Sequence, residues 1–252
     1  MNRRYRFDLG RFSQDKGFWI LVLIILVAFV FLQTRSVLNL VLMLASLLIA
    51  ISVHECSHAW MANRLGDPTA RLAGRLTLNP LAHLDPLGTI MMLFTALTGV
   101  GIGWGKPVPV ATYRLKYGPR VGNGLVSVAG SAANLLAAIV FAGLERVVGL
   151  SALTPDLILL VLDSIVLINL VIAFFNLLPI PPLDGFSVLI ALLSLIQQGW
   201  SRQWVHSLES LSRYGWVILL GVILLSQFTG LGLMERMVGG PAFALFDLLV
   251  GA

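Results

Sequence analysis

Charge is what this sequence lacks. Only 12% of its 252 residues are Asp, Glu, Lys or Arg, whereas 58% are hydrophobic and mean hydropathy is +0.90. An ordinary soluble domain carries about a quarter charged residues. So few charges cannot cover a water-facing globule, which excludes a soluble enzyme of ordinary type. The same hydrophobicity excludes a disordered chain, and the missing glycine period excludes a collagen-like one. Cysteine is nearly absent too. Cys56 stands alone, so no disulfide can form within the chain. Histidine and glutamate are scarce, with four of each. No internal repeat or low-complexity tract is present.

What the sequence does have is apolar runs, at residues 18–32, 37–62, 87–104, 121–144, 157–178, 183–196 and 214–228. At about 20 residues per membrane span, the second, fourth and fifth cross with ease. The first, sixth and seventh are shorter and rely on interfacial anchors such as Trp19, Trp200 and Trp216. The run 87–104 is short and rich in Gly and Thr. Arg64, Arg71 and Arg75 precede it, and Lys106, Arg114, Lys116 and Arg120 follow it. One spanning helix cannot keep both basic flanks on the cytoplasmic side, whereas a re-entrant element can.

The expected fold is therefore an all-α integral membrane protein. It has about six transmembrane helices, a re-entrant element, and short edge strands near the cytoplasmic face. Residues 1–252 form one polytopic domain. Both termini are cytoplasmic, and the run 18–32 is an uncleaved first helix, because no small-x-small site follows it. The edge strands are expected at 71–78, where Leu72, Leu76 and Leu78 alternate with arginines, and at 104–110. Pro107 and Pro109 bar a helix interior in the second segment and point to a sheet edge.

The net charge of +5 fits cytoplasmic loops and anionic headgroups. Nucleic acid is not expected as a partner, since no basic run is interleaved with aromatics on a polar face. Nucleotide is not expected either. The run Gly99-Val100-Gly101-Ile102-Gly103-Trp104-Gly105-Lys106 holds no GxGxxG register, and Pro107 stands where a P-loop needs Ser or Thr.

The run 37–62 carries the chemistry. Its segment His54-Glu55-Cys56-Ser57-His58 reads HExxH. With so few His and Glu, a chance match at three fixed positions has odds of about one in a thousand. Residues four apart on a helix differ by about 40° in direction, so both imidazoles can reach one metal ion. Glu55 beside them can take a proton from the attacking water. Two His and a Glu inside a membrane helix are costly without such a partner.

A hydrolytic zinc site needs a third ligand. The extended pattern that would place Gly and His further along the same helix fails, because Met61 and Arg64 stand there. Among the few acids, Asp184 follows a helix broken by Pro179, Pro181 and Pro182 and should return to the depth of His54 and His58. It would complete a His₂Asp set.

HExxH in a membrane helix, followed by Asn176-Leu177-Leu178-Pro179-Ile180-Pro181-Pro182-Leu183-Asp184-Gly185, resembles the site-2 protease family of intramembrane zinc metalloproteases. Five further segments match its small prokaryotic branch. They are Leu65-Gly66-Asp67-Pro68-Thr69-Ala70, Gly74-Arg75-Leu76-Thr77-Leu78-Asn79-Pro80, His83-Leu84-Asp85-Pro86-Leu87-Gly88-Thr89, Lys106-Pro107-Val108-Pro109-Val110, and Ala129-Gly130 with Asn134. The resemblance runs from about residue 45 to 190, with the catalytic core at about 37–190.

It implies one Zn²⁺ on His54, His58 and Asp184, with Glu55 as general base. It also implies cleavage in or near a transmembrane segment of a membrane-protein substrate, in a prokaryotic cytoplasmic membrane. Ser131 departs from the branch, which usually has proline there; the larger relatives carry PDZ or CBS modules, for which this chain has no space.

Asn134 either donates to a tetrahedral oxyanion or ties helices together beside Gly130, Ser131 and Ala132. Asn176 resembles the family's site-lining asparagine, or caps the broken helix. Leu76, Val108 and Val110 are the expected substrate clamp, pairing with an unwound substrate as an added strand. Asp163, near the outer end of its helix, is expected to pack rather than to serve the metal. The rival readings are a zinc-binding membrane transporter and a non-catalytic relative that binds membrane helices. Against transport, no inverted repeat is visible and the candidate ligands cluster near one face.

Overall fold

A computed structural model describes residues 37–98, 103–151, 153–196 and 198–251. The expected first helix, at 18–32, lies outside them. The described helices are α1 (Val37–Arg64), α2 (Thr69–Leu72), α3 (Pro86–Thr98), α4 (Gly118–Gly149), α5 (Asp156–Asn176), α6 (Asp184–Leu195), α7 (Gly199–Leu211), α8 (Gly215–Thr229) and α9 (Gly240–Phe246). Among the described residues, four helical segments are long and apolar enough to cross a membrane: α1, α4, α5 and the run Gly199–Thr229. Among the described residues the regular structure is all helical, and the apolar helices point to an integral membrane protein. α3 has 13 residues, a rise of about 20 Å against a hydrocarbon core of about 30 Å.

The packing follows from a four-residue period. In α1 the buried positions include Leu42, Ser46, Ala50, His54, His58 and Ala62. In α4 they include Gly122, Val126, Gly130, Asn134, Ala138 and Ala142. Residues four apart form a ridge along a helix, and most of these ridge residues are small. Lipid supplies no hydrophobic drive for helix pairing, so close backbone approach has to supply the dispersion energy instead. α5 adds Leu162, Val166 and Leu170 and, one face round, Ile165, Asn169 and Ala173. Ala138, Ala142, Val166, Leu170 and Ala242 join α4, α5 and α9 in one apolar cluster. Outward, α4 exposes Leu136, Ile139, Val140 and Val147, a surface that suits lipid and not water.

The turn 177–183 folds tightly and sets the start of α6 against the residues that end α5. A β-carbon on Gly185 would lie 2.1 Å from the Leu177 carbonyl oxygen, so only glycine permits this approach. The Asn123 amide donates to Ser187 Oγ at 3.2 Å, and a β-carbon on Gly124 would meet Ala191 at 2.3 Å. α6 thus lies along the first turns of α4 while α5 lies along its later ones. The runs 157–178 and 183–196 meet α4 end to end, with their break at its middle.

The connection from α1 to α4 is a folded pad. Gly66, at φ +102°, ends α1 in a conformation that side chains rarely adopt. The Asp67 carboxylate, fully buried, accepts from the Thr69 hydroxyl at 2.5 Å, the Thr69 amide at 3.1 Å and the Ala111 amide at 2.6 Å. Burial alone would raise its pKa. These hydrogen bonds and the Arg114 charge outweigh that and hold it below the ordinary value.

The edge strands do not form. Among the described residues there is no strand, only an antiparallel bridge between Leu84 and Gly105. Residues 71–78 invert the expected alternation: Arg75 is 5% exposed, whereas Leu72 and Leu78 are 74% and 65% exposed. The cause is hydrogen-bond demand. The Arg75 guanidinium donates to the Ala82 carbonyl at 2.5 Å and to the Lys106 carbonyl, and Gly74 at φ +69° turns the chain to let it in. The segment 104–110 forms no helix, and it is pinned by side chains in place of a sheet.

Candidate metal centre

His54 and His58 stand one turn apart on α1, with ring centroids 4.4 Å apart and both side chains buried. Each Nδ1 is already taken. His58 Nδ1 lies 2.7 Å from the Val126 carbonyl oxygen. A carbonyl only accepts, so the ring donates from Nδ1, and the neutral ring then has Nε2 available as a metal ligand. His54 Nδ1 lies 2.7 Å from Asn134 Oδ1. The Asn134 amide nitrogen donates to the Ala50 carbonyl at 2.9 Å and to Asn169 Oδ1 at 2.8 Å, which turns its oxygen toward His54. His54 therefore also donates from Nδ1 and presents Nε2.

Both Nε2 atoms face Asp184, at 3.0 Å from His54 and 3.2 Å from His58 to the same carboxylate oxygen, Oδ2. That oxygen is buried and has no hydrogen-bond donor. The three ligand atoms lie within 4.8 Å of one another. Three electron-pair donors facing inward repel one another unless a cation lies between them. Ligand bonds of about 2.0 Å at tetrahedral angles would set neighbouring ligand atoms about 3.3 Å apart, close to the observed spacing. Gly130 supplies the room, since a β-carbon there would lie 2.5–2.7 Å from both rings. The three residues fit a divalent metal ion of the zinc type.

Glu55, Asn176, Val108 and Val110 share a cavity of about 350 Å³ with the three ligand residues. Glu55 Oε2 accepts the Val108 amide at 3.1 Å, so the segment 104–110 passes directly over it. The Asn176 amide donates to the Ile172 carbonyl one turn back, at 3.0 Å. Leu76 lines neither this cavity nor its neighbours. Asp163 lies close to Glu145 of α4 and is not among the clustered ligands. His83, fully buried, approaches the Thr77 carbonyl through Nε2 at 2.7 Å, and its own carbonyl accepts the Lys106 amide. It belongs to the pad.

Two larger cavities meet the central one. The first, about 640 Å³ and mainly apolar, is lined by Met43, Leu47 and Ile51 of α1, Ile168 and Ile172 of α5, and Trp104 and Trp216. It reaches His54, Glu55 and Asn176. The second, also about 640 Å³, shares Thr112, Asn123 and Ser187 with the metal cavity. It extends to the exposed ion pair of Arg120 and Glu209, whose two hydrogen bonds measure 2.7 and 2.9 Å. The centre thus has an apolar approach and a polar one.

Sequence reasoning passed over Asn169, which lies in no motif. Its signal was an amide inside the most apolar of the four candidate spans.

The model of Peptidase family M50 matches residues 151–221. The match takes in Asn176, the proline-broken turn and Asp184, and begins after the HExxH segment. Over 151 residues, 57% of this chain and 65% of the relative, the chain is 40% identical to "Putative zinc metalloprotease YwhC" of Bacillus subtilis. It is 35% identical over 155 residues to "Putative zinc metalloprotease Rip2" of Mycobacterium tuberculosis, and 33% identical over 151 residues to the protein of the same name in Mycolicibacterium smegmatis. The matched stretch spans 56% of each of these last two relatives. No solved structure matches. Residues 151–221 thus resemble Peptidase family M50, and the chain is similar to relatives named zinc metalloproteases, of whose length it spans less than two thirds.

Proposed function

We propose that this protein is an intramembrane zinc metalloendopeptidase. It hydrolyses a peptide bond in or near a transmembrane segment of a membrane-protein substrate. One observation carries the reading: His54, His58 and Asp184 converge on one point, with Glu55 in the wall of the same cavity. Zinc bound there supplies Lewis-acid polarisation of the scissile carbonyl and makes water acidic enough to ionise near neutral pH.

The remaining work falls to the chain. Glu55 accepts the proton of the attacking water and passes it to the leaving nitrogen. Asn176 uses one amide N–H on Ile172 and keeps the other for the substrate's carbonyl oxygen. Asn134 has both N–H groups and its oxygen engaged. Its role is to hold His54, which leaves the oxyanion to Asn176. Val108 and Val110 hold an unwound substrate as an added strand, and substrate binding releases the Val108 amide from Glu55. The apolar cavity admits the substrate's membrane segment. The polar one carries water from the cytoplasmic face through Thr112, Asn123 and Ser187. This arrangement goes with a prokaryotic cytoplasmic membrane, cytoplasmic termini, a re-entrant α3 with basic flanks on the cytoplasmic side, and a catalytic unit at about 37–190.

The test is co-reconstitution in liposomes with candidate membrane substrates. Wild-type protein should cleave, and Glu55→Gln should keep its zinc and cleave nothing. Zinc flux across the bilayer with no cleavage would overturn the reading in favour of a transporter.

A further inference from the structure

A buried asparagine outside every motif completes the fixing of His54. Asn169 lies seven residues, or about two turns, before Asn176 on α5 and is fully buried. A polar side chain in such a helix is costly unless it is paired, and both ends of this amide are. Its nitrogen donates to the Ile165 carbonyl at 2.8 Å, and its oxygen accepts from Asn134 at 2.8 Å. The Ile165 carbonyl can only accept, so it decides that Asn169 shows its oxygen to Asn134. That oxygen demands a donor from Asn134, and the Ala50 carbonyl demands the other. With both N–H groups of Asn134 engaged, only its oxygen is left for His54 Nδ1. The sequence from Ile165 to Asn169 to Asn134 to His54 permits one orientation at each step. At its end, the His54 ring donates from Nδ1 and turns Nε2 toward Asp184.

We infer that Asn169 is a positioning residue which, through Asn134, holds His54 in the tautomer and orientation that presents Nε2 to the metal. The inference rests on the metal-centre reading above. Without the Asn169 oxygen, one N–H of Asn134 loses its partner in a dry interior, and the amide can swing away from His54. His58 needs no such relay, because a backbone carbonyl orients it directly. The effect therefore falls on one of the two imidazoles.

The test uses the full-length protein in detergent. Zinc Kd is measured by chelator competition, together with the visible spectrum of the cobalt-substituted form and the melting temperature of the metal-free form. The variants are Asn169→Leu, which removes the acceptor at similar volume; Asn169→Asp, which keeps it; Asn134→Leu; and the double variant Asn134→Leu/Asn169→Leu. Loss of such an outer partner costs about 10- to 100-fold in metal affinity. Asn169→Leu should raise Kd about tenfold and shift the cobalt bands, and Asn169→Asp should recover most of the affinity. In the Asn134→Leu background the second substitution should add nothing.

An unchanged Kd and cobalt spectrum in Asn169→Leu would overturn the inference, as would additive effects in the double variant. A merely structural role would lower the metal-free melting temperature alone. Where Asn169→Leu does not fold, Asn169→Ser, too short to reach Asn134, carries the same expectation. If the wild-type protein binds no zinc, the metal-centre reading fails and this inference with it. A wild type that binds zinc beside an unaffected Asn169→Leu sinks only the inference.

Discussion

A single methyl group at position 130 should empty the metal centre. A β-carbon on Gly130 would lie 2.5 Å from His58 Cε1, 2.6 Å from His58 Nε2 and 2.7 Å from His54 Cε1. Carbon atoms rest about 3.5–4.0 Å apart, so Gly130→Ala forces either both rings or the whole of α4 to retreat by about 1 Å. If α4 retreats, the Val126 and Asn134 contacts, both 2.7 Å and one turn either side of Gly130, stretch with it. If the rings turn, their Nε2 atoms leave Asp184. Metal–ligand distances tolerate only about 0.2 Å, so either response misplaces two ligands of three. Overpacking of this kind costs about 1–3 kcal/mol in stability, and the zinc affinity should fall by about 100-fold or more.

The assay is the rise in melting temperature on adding zinc, together with metal content. A 100-fold loss of affinity removes about 2.7 kcal/mol of zinc-dependent stabilisation at fixed zinc concentration. Gly143 is the internal control. It lies on the same helix, and a β-carbon there meets nothing within 4 Å, so Gly143→Ala should bind zinc normally. Wild-type zinc affinity in Gly130→Ala would refute the reasoning, because the rings would then not be packed against α4 as described.

Three further outcomes follow from the same geometry. Asp184→Asn removes the charge but keeps the shape of the third ligand, and metal content after dialysis should fall well below one zinc per chain. Full occupancy would assign the third ligand elsewhere. Val108→Lys and Val110→Lys should cut turnover at least tenfold while zinc content stays unchanged, and unchanged turnover would remove the clamp. Asp67 predicts an acid limit. Its folded pKa lies below the ordinary value of 3.8, so the stability it contributes is complete above that value and is lost as pH falls through the folded one. Melting temperature against pH should therefore be flatter below pH 4 in Asp67→Asn than in wild type, and parallel curves would count against the carboxylate clamp on Thr69 and Ala111.

Much of the centre was legible because its parts are rare. His54, Glu55 and His58 stand out in a chain with four His and four Glu, and Asp184 follows three prolines that no continuous helix tolerates. The fold class followed from apolar runs, which report burial or lipid contact directly. What was not legible was the loop pad. The alternation of Leu72, Leu76 and Leu78 with arginines suggested a strand, yet one arginine turned inward. Periodicity carries no information about carbonyls left without partners, and Arg75 is placed by two of them. The same blindness hid Asn169, whose position is set by the Asn134 amide on α4 and the Ile165 carbonyl on its own helix.

The four-residue ridges explain why packing and ligand placement are one property here. Val126, Gly130 and Asn134 contribute to His58 and His54 a carbonyl, an empty space and an amide oxygen, in that order along one face of α4. One and two turns further, the same face carries Ala138 and Ala142, which pack on Val166 and Leu170. Small residues bring α1, α4 and α5 close enough for backbone carbonyls to serve as partners. That closeness lets Val126 orient one imidazole and Ala50 orient the amide that holds the other. In lipid, where association rests on packing and interhelical hydrogen bonds, the contacts that hold the helices together also aim the ligands. In a chain with so few polar groups, Asn134 therefore serves twice, once to join α1, α4 and α5 and once to build the site.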